Sequence, residues 1–190
     1  MAESFKDYLQ AAAQTINQAA QDPLAQAMEK AIALCCGALD QNQPLLVCGN
    51  GGSAADAMHF SAELVARFLK DRKGLPCICL ASNPAMLTAW ANDVDFETVF
   101  ARQVEAFGQS GGVLIALSTS GKSKNIIRAA QQAKAMGLGV IALTGAGGGD
   151  LAALADVLLQ APSTHTPLIQ QVHLCFYHYL CARIEERYAA

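Results

Sequence analysis

A short apolar run, Leu45-Leu46-Val47-Cys48, breaks at Gly49-Asn50-Gly51-Gly52 and restarts as a helical pattern that reaches Phe68. A strand that turns tightly at glycines and becomes a helix commits a chain to α/β architecture. Ser53 is the expected N-cap of that helix, with helix formers behind it. Asp56, His59, Glu63 and Arg67 follow at spacings of three, four and four. At about 100° per residue they fall on one stripe. A charged stripe is ordinarily a solvated face. This one starts at the carboxyl end of a strand, where open α/β sheets bind ligands, and that favours chemistry.

The rest of the chain repeats the alternation. Strands are expected at 45–48, 76–81, 113–117, 139–143 and 157–160. Helices are expected at 53–69, 85–91, 96–107, 124–136 and 167–187, with a short one at 150–155. The result is a mostly parallel sheet covered on both faces. Two helices precede the first strand. One runs over 4–20 with Phe5, Leu9, Ala12, Ile16 and Ala20 at helical spacing, and the other runs from 24 to 39 after Asp22-Pro23. They exceed what covering that strand requires, so the first is expected to pack on another subunit.

Composition narrows the function classes. Hydrophobic residues make up 53% and charged residues 15%, which suits a buried parallel sheet or extensive subunit contacts. A net charge of −3 gives no general attraction to nucleic acid or an anionic membrane. No apolar run approaches the ~20 residues of a membrane helix. The first residues, Ala2-Glu3-Ser4-Phe5-Lys6-Asp7, lack the apolar centre of a signal peptide. Seven cysteines, an odd number without C-x-x-C spacing, lead us to expect reduced thiols and a cytoplasmic protein. Cys77-Ile78-Cys79 is read as core, with its sulfurs on opposite faces.

The loops separate several chemistries. Gly49-Asn50-Gly51-Gly52-Ser53-Ala54 fits G-x-G-x-x-A, but the second strand ends in Ala81-Ser82-Asn83 without the acid that holds a dinucleotide ribose. The stretch 116–123 nearly matches a P-loop, yet its first glycine is Ala116 and no magnesium acid follows a second strand. What remains is Ser118, Thr119, Ser120 and Ser123 crowding a strand-to-helix turn. One hydroxyl suffices for a cap. Four of them, with free N–H groups and the helix dipole, suit a phosphate monoester. Asn92-Asp93 fits sugar hydroxyls and an ordinary helix stop equally well. The last helix carries Gln170, His173 and His178 in an apolar setting, where histidine is usually core. Gln170 and His178 are eight residues apart, about 80° around and 12 Å along a regular helix. They converge on one atom only through a distorted first turn or a neighbouring subunit.

In order along the chain, Cys48-Gly49-Asn50-Gly51-Gly52-Ser53, Asp56-Ala57-Met58-His59-Phe60 with Glu63-Leu64, Ala91-Asn92-Asp93, Ser118-Thr119-Ser120-Gly121-Lys122-Ser123, Leu143-Thr144-Gly145 and Ile169-Gln170-Gln171-Val172-His173 resemble the sugar isomerase (SIS) family. The 118–123 loop is common to many SIS proteins. The stretch from Gly49 to Leu64 is more selective and resembles the branch acting on seven-carbon sugar phosphates. The resemblance implies a flavodoxin-like three-layer αβα sandwich around a five-stranded parallel sheet, as one SIS domain over 1–190. It implies a homotetramer with sites between subunits, in which the helices of 1–42 take part in packing. The implied activity is an aldose–ketose isomerase. It would convert sedoheptulose 7-phosphate to D-glycero-D-manno-heptose 7-phosphate through a cis-enediol, the first step toward nucleotide-activated heptoses for lipopolysaccharide or other surface glycans.

Carried over residue by residue, the resemblance implies Glu63 as catalytic base and His178 as acid. Substrate contacts fall at Asn50, Gly51, Gly52, Asn92, Asp93, Ser118, Thr119, Ser120, Ser123 and Gln170, to which Ser53, Glu63 and Arg67 are added. His59, Glu63, Gln170 and His178 match positions that hold one zinc ion per subunit where a metal is seen. No nicotinamide or nucleotide cofactor, nucleic acid or membrane is implied. Leu168, Gln171 and Lys122 depart from the common arginine, glutamate and asparagine, which bears on contacts at the far end of the substrate. A scaffold-like SIS relative that binds the replication initiator DnaA lacks the glutamate and last-helix histidine present here as Glu63 and His178. A sensor or isomerase for another phosphosugar is the third reading.

Overall fold

The computed structural model describes residues 4–20 and 22–189. α1 (Phe5–Ala19) and α2 (Asp22–Asp40) precede β1 (Leu45–Cys48), α3 (Gly52–Val65), β2 (Cys77–Cys79), α4 (Pro84–Asp93) and α5 (Val99–Phe107). Then come β3 (Val113–Ser118), α6 (Lys124–Ala135), β4 (Gly139–Thr144), a 3₁₀ turn (Asp150–Leu154), β5 (Val157–Gln160) and α7 (Thr166–Tyr188). The five strands are all parallel, in the order β2-β1-β3-β4-β5. The order reverses between β1 and β3, so the loops leaving those two strands flank the switch point where such sheets bind ligands.

Period-two alternation splits the apolar residues of each strand between two cores. Leu45, Val47, Val113, Ile115, Ile141 and Leu143 pack under α2, α3 and α7. Leu46, Cys48, Leu114, Ala116, Val140 and Ala142 pack under α5 and α6. Every residue of β1 and β3 is buried, as a sheet covered on both faces requires. Cys77 and Cys79 both belong to the first core while Ile78 leans on the second. The two sulfurs therefore share a face, contrary to the expectation, because residues two apart on a strand point the same way.

Local chemistry sets several boundaries. Ser4 and Asp7 form a capping box at α1. Asn83 caps α4, with Pro84 as its first residue. α4 runs through Asn92-Asp93 instead of stopping before them. α5 starts only at Val99, because the Asp95 carboxylate accepts from the Thr98 N–H at 2.7 Å and its hydroxyl at 2.9 Å in a tight turn. Ser53 is not the cap of α3. The cap is Gly51, in the left-handed region at φ +55, and Ser53 is buried within the first turn. The loop closes so tightly that a Cβ on Gly49 would lie 2.3 Å from the Ser53 carbonyl oxygen. At its other end α3 stops at Val65, before Arg67. Among the described residues no helix is long and apolar enough to cross a membrane.

Candidate active site

Two polar groupings occupy the switch-point end of the molecule. The first is a cavity of about 210 Å³ lined by Asn50, Gly52, Ser53, Leu117, Ser118, Thr119, Ser123, Thr166 and Gln170. It lies between the β1 and β3 loops and the start of α7. Ser123 is the N-cap residue of α6, yet its side chain makes no capping bond. Its hydroxyl instead lies 3.1 Å from that of Ser118. The hydroxyls are thus not consumed in holding the helix start, and the helix dipole faces the cavity. Ser120 is exposed, its hydroxyl accepting the Lys122 N–H at 3.2 Å.

Asn50 is held by a residue that sequence reading missed. Its amide and that of Asn125 exchange two hydrogen bonds, each 2.8 Å long. Asn125 is buried on the first turn of α6, so α6 fixes the β1 loop directly. Gln170 lies over Gly52, where a Cβ would meet its amide nitrogen at 2.5 Å. A Cβ at 52 would push the end of the Gln170 side chain aside.

The second grouping lies further along α3. His59 Nε2 and Glu63 Oε1 are 2.8 Å apart, one turn apart on the helix. His178 of α7 joins them, and one ligand atom from each of the three lies within 4.8 Å of the others. The His59 and His178 rings meet edge to face with centroids 5.1 Å apart, and Phe68 flanks His178 at 5.4 Å. Behind them the Tyr177 hydroxyl lies 2.9 Å from His59 Nδ1 and 3.5 Å from Asp56 Oδ1. A carboxylate only accepts, so Nε2 donates to Glu63, and a neutral ring leaves Nδ1 to accept from Tyr177. Burial pushes the Asp56 carboxyl above its ordinary value, against the pull of Tyr177 and His59. Burial first, and then the Asp56 charge, push the Tyr177 hydroxyl up.

These donors suit a metal ion. Two imidazoles and a carboxylate converge, and His178 Nε2 is buried with no hydrogen-bond partner among the described residues. With a metal on Nε2, His59 would carry its proton on Nδ1 and donate it to the Tyr177 oxygen, the usual brace of a ligating histidine. Gln170, expected in the same set, is with the hydroxyl cavity instead. It overlies Gly52, seven residues and so roughly 10 Å along α3 from His59. Arg67 lies past the end of α3, exposed and paired with Asp71 at 2.7 Å. Asn92 and Asp93 are exposed at the end of α4, where the Asn92 amide donates to the Asp93 carboxylate at 2.9 Å. None of these last three lines the hydroxyl cavity.

Fold and site define a doubly wound α/β protein with its polar side chains gathered where the strand order reverses. The chain belongs to the SIS domain family, whose model matches residues 7–145. It is similar to the phosphoheptose isomerase of Crocosphaera subtropica, with 51% identity over 170 residues, 90% of this chain and 87% of that one. Among solved structures it resembles a phosphoheptose isomerase from Francisella tularensis, with a TM-score of 0.91 and 35% identity over 95% of this chain and 96% of that one. The phosphoheptose isomerase GmhA from Neisseria gonorrhoeae gives a TM-score of 0.88 and 37% identity, over 94% and 95% of the two chains.

Proposed function

We propose that this chain is an aldose–ketose isomerase of heptose biosynthesis, converting sedoheptulose 7-phosphate to D-glycero-D-manno-heptose 7-phosphate. The observation that carries this reading is the meeting of Glu63 with His178 across two helices, at the same end of the sheet as a hydroxyl-lined cavity. Relatives called phosphoheptose isomerase, at about half identity over most of the chain, support the choice of substrate.

The phosphate docks among Ser118, Thr119, Ser120 and Ser123, against the start of α6. Asn50, Gly51, Gly52, Ser53 and Gln170 hold the sugar body, with Asn92, Asp93 and Arg67 as outer contacts. Glu63 takes the proton from C1 while His178 gives one to the C2 carbonyl oxygen, leaving a cis-enediol. His178 then takes the proton from the C1 hydroxyl as Glu63 returns one to C2, which yields the aldose. His178 also serves ring opening, since an imidazole gives and takes protons near neutral pH. His59 orients the Glu63 carboxylate.

Zinc is the proposed metal, to be held by His59, Glu63 and His178; when bound it would polarise the substrate carbonyl. We further read the protein as one SIS domain over 1–190 and a cytoplasmic homotetramer with sites between subunits. Phe5, Leu9 and Ile16 form an exposed apolar stripe on α1 that supports the subunit packing. Six of the seven cysteines are buried and all are free, in keeping with a reducing compartment. The test is turnover of a panel of ketose phosphates, with and without a chelator, by wild type and Glu63→Gln. The variant is expected to bind the sugar phosphate and to have no turnover. Full activity in it ends this assignment.

A further inference from the structure

We propose that Arg72 and Glu185 are positioning residues of the reaction: together they lock the carboxyl end of α3, which carries Glu63, against α7, which carries His178. The inference rests on the reading above, in which those two residues act as a pair.

Glu185 is 1% exposed, yet it carries a carboxylate. Its Oε1 accepts the Phe68 N–H at 3.0 Å, and its Oε2 accepts those of Leu69 at 2.6 Å and Lys70 at 2.9 Å. Three successive backbone donors thus wrap one side chain. Arg72 Nε lies 3.3 Å from Oε1, with both side chains shut off from solvent. Nε is out of line for a hydrogen bond, so this contact is ionic, and the other guanidinium nitrogens bind elsewhere. Nη2 donates to the carbonyl of Glu63 itself at 2.7 Å, and Nη1 to those of Ala66 and Lys73 at 3.2 Å each. Burial alone would raise the Glu185 carboxyl, but the three N–H donors and the Arg72 charge outweigh it and hold it below its ordinary range.

The placement matters more than the strength. The last turn of a helix leaves carbonyls without intrahelical partners. Here the carbonyl of the residue that bears the base is one of them, and Arg72 takes it. Glu185 follows His178 on α7 by seven residues, two turns, and so lies on the same helix face. The pair therefore joins Glu63, through its own backbone, to the helix that presents His178. It also ends α3 at Val65 and turns Arg67 away from the stripe. A buried ion pair is often replaceable by apolar residues of similar volume with little loss of stability. Holding a geometry is then the better account of it. A misplacement of about 1 Å at a reacting group can cost on the order of a hundredfold in rate.

The experiment uses the full chain with Arg72→Lys, Glu185→Gln and the double variant Arg72→Met/Glu185→Met, beside Glu63→Gln. Kinetics on sedoheptulose 7-phosphate are measured at a temperature where circular dichroism shows each variant folded. We expect kcat to fall roughly tenfold or more, with KM within about threefold because the hydroxyl cavity is untouched. The double variant removes both charges at once and keeps the test open if a single variant fails to fold. A folded double variant with wild-type kcat overturns the inference, as does a loss confined to KM. If Glu63→Gln still turns over, the acid–base reading fails and the inference falls with it. If Glu63→Gln is inactive while the folded pair variants keep full kcat, only the positioning role is lost.

Discussion

Gly121 offers a test of how the 118–123 loop is held. Its φ is +65, and a Cβ there would lie 1.9 Å from the Gly148 carbonyl oxygen, 2.5 Å from its carbon and 2.9 Å from the Gly149 nitrogen. Every one of those atoms is backbone, so no rotamer relieves the contact. Real Cβ contacts essentially never fall below 3.0 Å, so one loop must withdraw by about 1 Å. Gly147 is the matched control: its φ is +90, but nothing lies within 4 Å of its Cβ position. Gly147→Ala carries only the conformational cost, about 1–2 kcal/mol. Gly121→Ala adds an overpacking cost of about 1–3 kcal/mol. It also displaces Ser120 and Ser123 by a distance that matters for binding, so KM for the sugar phosphate should rise roughly tenfold or more. Urea unfolding and Michaelis kinetics on both variants provide the comparison. Equal stability and equal KM in the two would refute the claim that the 145–149 loop supports the 118–123 loop.

Asn125→Ala leaves the Asn50 amide without its reciprocal partner; stability should fall by about 1–3 kcal/mol and KM should rise, and a folded variant with native KM would contradict this. His173 is fully buried, and burial brings its imidazole down to about 4, against the opposing effect of its bond to the Thr144 carbonyl. The unfolded chain takes a proton near pH 6.5 that the folded chain refuses. The resulting stability is present above that pH and is lost as pH falls toward 4, by up to about 3 kcal/mol. His173→Gln should therefore show a flatter dependence of urea midpoint on pH between 7 and 4.5, and parallel slopes would exclude this origin. Deleting residues 1–20 should reduce the proposed homotetramer to a smaller species in sedimentation, and an unchanged size would remove α1 from the proposed subunit contacts.

The strands and their order of appearance were readable because each is a short apolar run closed by glycine or a polar turn. The His59–Glu63 stripe was readable because helical spacing is local. Sequence reasoning placed Gln170 and His178 on one helix, where only a distorted turn or a neighbouring subunit would bring both to one metal. Within this chain one faces the hydroxyl cavity and the other faces Glu63. Asn125, Tyr177, Arg72 and Glu185 gave no such signal. Tyr177 reads as one more core aromatic of α7, and Asn125 as one more polar residue at a helix start. Glu185 looks like a surface glutamate in the run Ile184-Glu185-Glu186-Arg187. Their partners lie between 75 and 121 positions away, apart from Arg72's carbonyls, and local patterning carries nothing over that range. The misplaced end of α3 has the same cause, since a side chain from the last helix stops it.

The cysteines carry one more consequence. Cys175 alone is exposed, while Cys35, Cys36, Cys48, Cys77, Cys79 and Cys181 are buried, and burial pushes all six of those thiols up. A maleimide reacts with thiolate, so the folded chain offers one reactive sulfur and the unfolded chain seven. The labelling stoichiometry is thus a built-in gauge of core integrity, readable by mass without any engineered probe. The buried six come from α2, β1, β2 and α7, so peptide mapping of partly labelled chains would identify which layer of the sandwich opens first.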